Sequence, residues 1–192
     1  VNGTVNDLAV MGARPLYISC ALVLEEGLDF ADLERILDSM KAEADRAGVA
    51  IVTGDTKVVP NGKADRIFIN TSGIGIIDRK PQRGEIVPGD RIIVSGTIGD
   101  HGMAIMALRN NLSFSRGLQS DCAHLNHMIA KITDNYPDSV RFMRDPTRGG
   151  VASVLNEIVK GQSYSAMISE ETLPIRDEVK GVCGILGIEA LY

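Results

Sequence analysis

Apolar residues along this chain recur at two spacings, and the changes of spacing mark out the elements. Val5, Leu8, Ala9 and Gly12 fall on one helical face of the first segment, with Asn2 and Asn6 on another. Gly12 ends that helix and Pro15 forbids its continuation. From Leu16 to Leu24 the pattern alternates and strand formers dominate, predicting a strand. Asp29 then opens a helix, with Asp32 in capping-box position. Phe30, Leu33, Ile36, Leu37, Met40 and Ala44 make its core stripe, and Gly48 closes it. Val49 to Val59 and Arg66 to Ile77 read as strands on either side of the turn Pro60-Asn61-Gly62, so the two are expected to pair as a hairpin.

Charged residues with Pro and Gly from Asp78 to Gly84 predict a linker, which places a domain boundary between 1–80 and 81–192. The pattern restarts with a strand from Arg91 to Ser95. The glycine-rich turn Gly96-Thr97-Ile98-Gly99-Asp100-His101-Gly102 leads into a helix from Met103 to Leu108, and a polar stretch from Asn110 to Ser120 reads as a mobile loop. Leu125, Met128, Ile129 and Ile132 mark a helix ended by Pro137. A short apolar run, Val140 to Met143, puts Asp145 at a strand end. Val151, Val154, Leu155 and Ile158 then stripe a further helix. Ala166 to Ser169 predicts a strand, and Glu178 to Leu186 a short helix interrupted by glycine.

Composition narrows the function classes. Of 192 residues, 44% are hydrophobic and 23% charged, as in a soluble globular protein. A net charge of −5 carries no electrostatic footprint for nucleic acid. No run approaches the roughly twenty apolar residues of a membrane helix. Cys20, Cys122 and Cys183 lie far apart with no C-x-x-C pair, which speaks against zinc and a disulfide framework. They read as plain buried side chains of a cytoplasmic protein. The chain begins Val1-Asn2-Gly3 and stops just after an apolar run at Tyr192, so it reads as a piece of a longer protein.

The candidate chemistry centres on Arg144-Asp145-Pro146-Thr147-Arg148-Gly149-Gly150. Thr147 can cap the helix that follows, and the two glycines let a ligand approach its first turn, where unpaired amides and the helix dipole seat anions. Asp145 could hold the divalent metal that accompanies phosphate. An ordinary capped turn explains the same residues. Asp55, within Thr53-Gly54-Asp55-Thr56-Lys57, and Asp7 also sit among small residues near element ends. Each is weak alone; together the three fit an oxygen-ligand site for magnesium, with Lys57 and Arg148 balancing phosphate charge. The turn at Gly96 matches neither the dinucleotide nor the P-loop pattern. His101 in it could be an acid/base, a substrate contact or a capping residue, the last being favoured. His124 and His127 lack a third metal ligand nearby.

Taken in order, Val5-Asn6-Asp7-Leu8-Ala9 with Gly12-Ala13-Arg14-Pro15, then Gly54-Asp55-Thr56-Lys57-Val58-Val59, Gly99-Asp100-His101-Gly102 and Asp145-Pro146-Thr147-Arg148-Gly149-Gly150 resemble the HypE family of hydrogenase-maturation carbamoyl dehydratases. That family sits in the PurM-like superfamily with aminoimidazole ribonucleotide synthetase and selenophosphate synthetase. The resemblance covers essentially the whole chain. It implies an α+β, PurM-like two-domain fold: an N-terminal mixed sheet with helices for ATP binding and dimerisation, then a C-terminal α/β sandwich-type domain. It also implies a homodimer with ATP where two N-terminal domains meet. The implied reaction is ATP-dependent dehydration of a carbamoylated C-terminal cysteine to a thiocyanate, with HypF as carbamoyl donor and HypC–HypD as the receiving scaffold.

Carried over by position, Asp7, Asp55 and Asp145 look like magnesium and phosphate residues. Asn6, Thr56, Thr147, Arg148, Gly149 and Gly150 look like nucleotide contacts. Lys57 looks like the group that polarises the amide oxygen or shuttles a proton, a structural ion pair being its other reading. The family has an earlier glycine-rich loop, an A-N-E-G segment past Tyr192 and a cysteine-bearing tail, none of which this sequence contains, so weak nucleotide binding and no turnover are expected of this chain. Two other readings remain: a phosphotransferase of the selenophosphate synthetase or thiamine-monophosphate kinase type, and a scaffold module without catalysis.

Overall fold

The computed structural model describes residues 1–77, 84–112 and 117–191. Most of the stretch read as a linker (78–83) and the middle of the polar loop (113–116) lie outside them. The chain divides into two compact units, Val1–Gly84 with Ala123–Asp145, and Glu85–Cys122 with Pro146–Tyr192.

The first unit is built around a three-stranded sheet. Helix α1 (Asn2–Val10) buries Val5 and Ala9, and Gly12 turns the chain at a φ of 82° into strand β1 (Arg14–Glu25). Helix α2 (Phe30–Ala47) starts where the Asp29 carboxylate accepts the Ala31 N–H at 2.9 Å. It stops at Gly48, whose left-handed φ of 71° lets the Val49 N–H reach back to the Ala44 carbonyl at 3.0 Å. Asp32 does not close a capping box; its carboxylate instead takes the guanidiniums of Arg35 and Arg66. Val5, Ile18, Ala44, Ala47 and Val49 form the core. The stripe predicted for α2 is only partly covered: Phe30 is 82% exposed and Leu37 is exposed, so burial is concentrated at the C-terminal end of the helix.

Strands β2 (Ala50–Val59) and β3 (Ile67–Ile76) do not pair with each other. The sheet order is β2-β1-β3, with β2 parallel and β3 antiparallel to β1. The expected hairpin is thus wrong, and its physical reason is the 18-residue helix between β1 and β2. That crossover makes them a parallel βαβ pair, so β3 takes the other edge of β1. The connection from β2 to β3 must then pass across the end of β1. Glu25 ties it there, its carboxylate accepting the N–H groups of Gly62 and Arg66. Helix α4 (Asn126–Asn135) belongs to this unit and buries Asn126 and Ile129.

The second unit packs helices α3 (Asp100–Arg109) and α6 (Asp177–Leu186) through Met103, Ala107, Val179 and Val182. It also holds α5 (Gly150–Val159) and a 3-10 turn at Glu170–Thr172. Residues 91–95 and 166–169 of this unit, and 140–143 of the first, predicted as strands, are in no ladder among the described residues. A strand is stable only when a neighbour takes its N–H and C=O groups. Here the apolar side chains stay in solvent: Ile93 is 87% and Met167 92% exposed. Among the described residues no helix is long and apolar enough to cross a membrane.

Candidate functional site

Asp55 and Lys57 are positioned by β2. The ladder with β1 carries an irregularity between Ile18 and Ser19, where Ile51 pairs with Ile18 but Thr53 with Ser19, leaving Val52 as an extra residue. After that bulge, Asp55 stands beside Ala21 and Lys57 beside Val23. Two residues apart on a strand, they share a face. Both are exposed, and Lys57 makes no ion pair among the described residues. The Asp55 carboxylate accepts the N–H of Thr56 at 2.9 Å. Gly54 sits where a Cβ would stand 2.6 Å from the Cys20 carbonyl oxygen, so only glycine fits this register.

The same face of β1 carries Tyr17, opposite Ile74 of β3. Both are exposed, as are Phe68 and Ile76. The other face lies under α1: Thr4 Oγ1 and Thr71 Oγ1 are 2.6 Å apart, and a Cβ on Gly73 would stand 2.8 Å from Thr4 and 2.9 Å from Leu8. One face of the sheet is therefore covered, and the other presents apolar side chains beside Asp55 and Lys57.

Asp7 and Asn6 are on α1, where Asp7 is exposed. Asn6 has a role that no local pattern signals. Its Nδ2 donates to the Ala123 carbonyl at 2.9 Å and its Oδ1 accepts the Leu125 N–H at 2.8 Å, which pins the chain entering α4. Asn126 adds a donation to the Ala47 carbonyl at 2.8 Å, and His127 one to the Arg46 carbonyl at 3.1 Å. His124 faces Glu43 at 3.6 Å.

Asp145 is half-buried, with Arg144 Nε at 3.9 Å from its carboxylate. The division between the two units falls between Asp145 and Pro146, so the aspartate and the phosphate-type turn belong to different units. Thr147 does not cap α5. The N-cap is Gly149, with φ 70°, followed by Gly150 at 62°, and glycine has no side chain with which to cap the helix. A Cβ at Gly149 would stand 2.1 Å from Ser153 Oγ. Arg148 and Thr147 are exposed. Among the described residues no group of three or more His, Cys, Asp or Glu side chains converges as a ready-made metal cluster.

His101 likewise caps nothing: the N-cap of α3 is Gly99, at φ 84°. Asp100, beside it, is fully buried, with Arg176 Nε 3.1 Å from its Oδ1. That approach is off-axis, and neither carboxylate oxygen takes an aligned hydrogen bond among the described residues. The cysteines are not uniformly buried. Cys20 is, Cys183 is half-exposed and Cys122 is exposed.

Two family models account for nearly all of the chain: the N-terminal domain of AIR synthase related protein over residues 1–77 and its C-terminal domain over 87–192. The chain belongs to the AIR synthase related family. Within that family its sequence is 50% identical over 194 residues to the carbamoyl dehydratase HypE of Rhodobacter capsulatus, covering 100% of this chain and 57% of that relative. The chain thus spans little more than half the length of its curated relatives. A crystal structure of the hydrogenase maturation protein HypE in complex with ATP matches at a TM-score of 0.92 and 47% identity, covering 100% of this chain and 58% of that one. A HypE–HypF complex matches at 0.90 and 47%, over 100% and 63%. The α+β, PurM-like AIR synthase related fold is shared more widely. The thiamine monophosphate kinase of Aquifex aeolicus matches at a TM-score of 0.77 with 22% identity, a likeness of fold alone.

Proposed function

We propose that this chain is the nucleotide-handling part of a cytoplasmic ATP-dependent carbamoyl dehydratase that supplies cyanide ligands for [NiFe]-hydrogenase maturation. The single observation carrying the reading is half-identity to HypE along the whole chain. Residues 1–80 would form the ATP-binding and dimerisation domain and 81–192 the second domain. The carbamoyl amide oxygen of a C-terminal thiocarboxamide attacks the γ-phosphorus of ATP, and ADP leaves. Loss of phosphate and of the nitrogen protons then leaves the nitrile of a thiocyanate. Lys57, exposed and without a counter-ion among the described residues, is suited to steadying charge on the amide oxygen or carrying a proton.

Thr56, Thr147, Arg148 and the amides at Gly149 and Gly150 are suited to the phosphates, and Asn6 to a polar contact with the nucleotide. Magnesium fits Asp7, Asp55 and Asp145 as hard oxygen donors. It commonly takes only one or two carboxylates plus substrate phosphates, so no preformed three-residue cluster is needed. When bound it would neutralise phosphate charge. The uncovered sheet face beside Asp55 and Lys57 favours a homodimer that completes the pocket. HypF as carbamoyl donor follows from the likeness to the HypE–HypF complex, and HypC–HypD as acceptor from the family reading.

The test uses the full-length protein with its carbamoylated tail, following ATP-dependent loss of one water by mass and the nitrile stretch in the infrared. Both should appear in the wild type and fall by at least about 100-fold in Asp55→Asn and Lys57→Met. Transfer of the γ-phosphoryl group to a soluble small molecule, with no change in the tail, would instead establish the kinase-type reading. Normal maturation by Asp145→Asn would favour a scaffold without catalysis.

A further inference from the structure

The first turn of α3 and the coil that follows the helix bring an imidazole and a thiol together across 21 residues of sequence. Cys122 Sγ lies 3.6 Å from His101 Nδ1, within contact for the large sulfur atom, and both residues are exposed. Separate bonds hold each partner. The His101 N–H donates to Asp121 Oδ1 at 3.1 Å, and the Cys122 N–H donates to Ser120 Oγ at 3.2 Å. Ser120 Oγ also lies 2.9 Å from the same Nδ1, so hydroxyl and thiol converge on one ring nitrogen. With the ring proton on Nε2, Nδ1 is an acceptor, and a thiol beside an acceptor imidazole is a nucleophile beside its base. The other two cysteines lack this setting. Cys20 is buried, and the half-buried Cys183 thiol is pushed up by desolvation and then by Glu189. Zinc would need about four ligands, and a Cys–His pair offers two.

We propose that Cys122 is a modification site that exchanges with low-molecular-weight disulfides, with His101 as its base. The thiol proton passes to Nδ1, and Sγ attacks one sulfur of the disulfide. The S–S bond breaks, and the departing thiolate carries off the electron pair and takes the proton back from the imidazolium. Cys122 is oxidised to a mixed disulfide and the leaving sulfur is reduced. This exchange does not depend on the proposed ATP chemistry.

The experiment exposes the 192-residue chain to glutathione disulfide near pH ~7 and maps adducts by peptide mass, with N-acetylcysteine as a reference thiol. Cys122 should be modified first, roughly tenfold faster than Cys183 and faster than the reference. His101→Gln should slow it roughly tenfold while the circular dichroism spectrum is retained. Modification no faster than N-acetylcysteine, or unchanged by His101→Gln, overturns the proposal. If His101→Gln does not fold, the comparison with N-acetylcysteine decides alone.

Discussion

A methyl group at position 73 has nowhere to go. It would press on Thr4 and Leu8, the side chains by which α1 lies on the sheet. Gly73→Ala should therefore destabilise the first unit by about 1–3 kcal/mol, read as a drop in the denaturant midpoint. Gly62→Ala, where nothing stands within 4 Å but φ is +77°, should show only the smaller backbone penalty. Glu25 makes a pH-dependent contribution. Its carboxyl is held below its ordinary value of 4.5, first by the Arg66 N–H and then by that of Gly62. A folded value below the unfolded one gives stability that is present above about 4.5 and is lost as the pH falls through the folded value. Glu25→Gln should flatten the acid limb of a stability-versus-pH curve and leave its slope near neutrality unchanged. An acid limb identical to wild type would refute this.

At the scale of elements, the helices were legible and the strand pairing was not. Asp29, the stripe through Ala44 and Gly48 announce α2 with both of its ends, because capping and periodicity are local. The turn Pro60-Asn61-Gly62 is equally local and points to a hairpin, yet the ladder is decided by a strand some 40 positions earlier. The predicted strands of the second unit failed similarly: their composition is right, but pairing needs a neighbour that composition cannot supply. Of the candidate site, the shared face of Asp55 and Lys57 follows from alternation alone. The work of Asn6 could not be read, since its partners lie 117 and 119 residues away. Asn6→Ala should leave the sheet intact and raise amide hydrogen exchange across α4 and the residues leading into it, with protection of β1 unchanged. Cys122 and His101 were also invisible as a pair, because Cys122 returns to the start of α3 through coil, which has no period to count.

For the molecule as a whole, the open face of the sheet is the feature on which the proposed homodimer rests. Tyr17, Phe68, Ile74 and Ile76 lie exposed on strands whose other side is packed. Ile74 is 64% exposed, so an aspartate there meets little resistance within one chain. Ile74→Asp should keep the thermal midpoint within a few degrees yet shift the sedimentation profile towards monomer. An unaltered profile for a self-associating wild type would place the contact elsewhere. The strand order carries a further consequence for synthesis. Since β1 is the middle strand, a nascent chain that has emerged only as far as β2 leaves one whole edge of β1 bare. That edge stays open to pairing with other chains until residues 67–76 arrive. A pause in translation timed when β2 has emerged from the ribosome and Ile67 has not should therefore lower soluble yield far more than an equal pause once Ile76 has emerged.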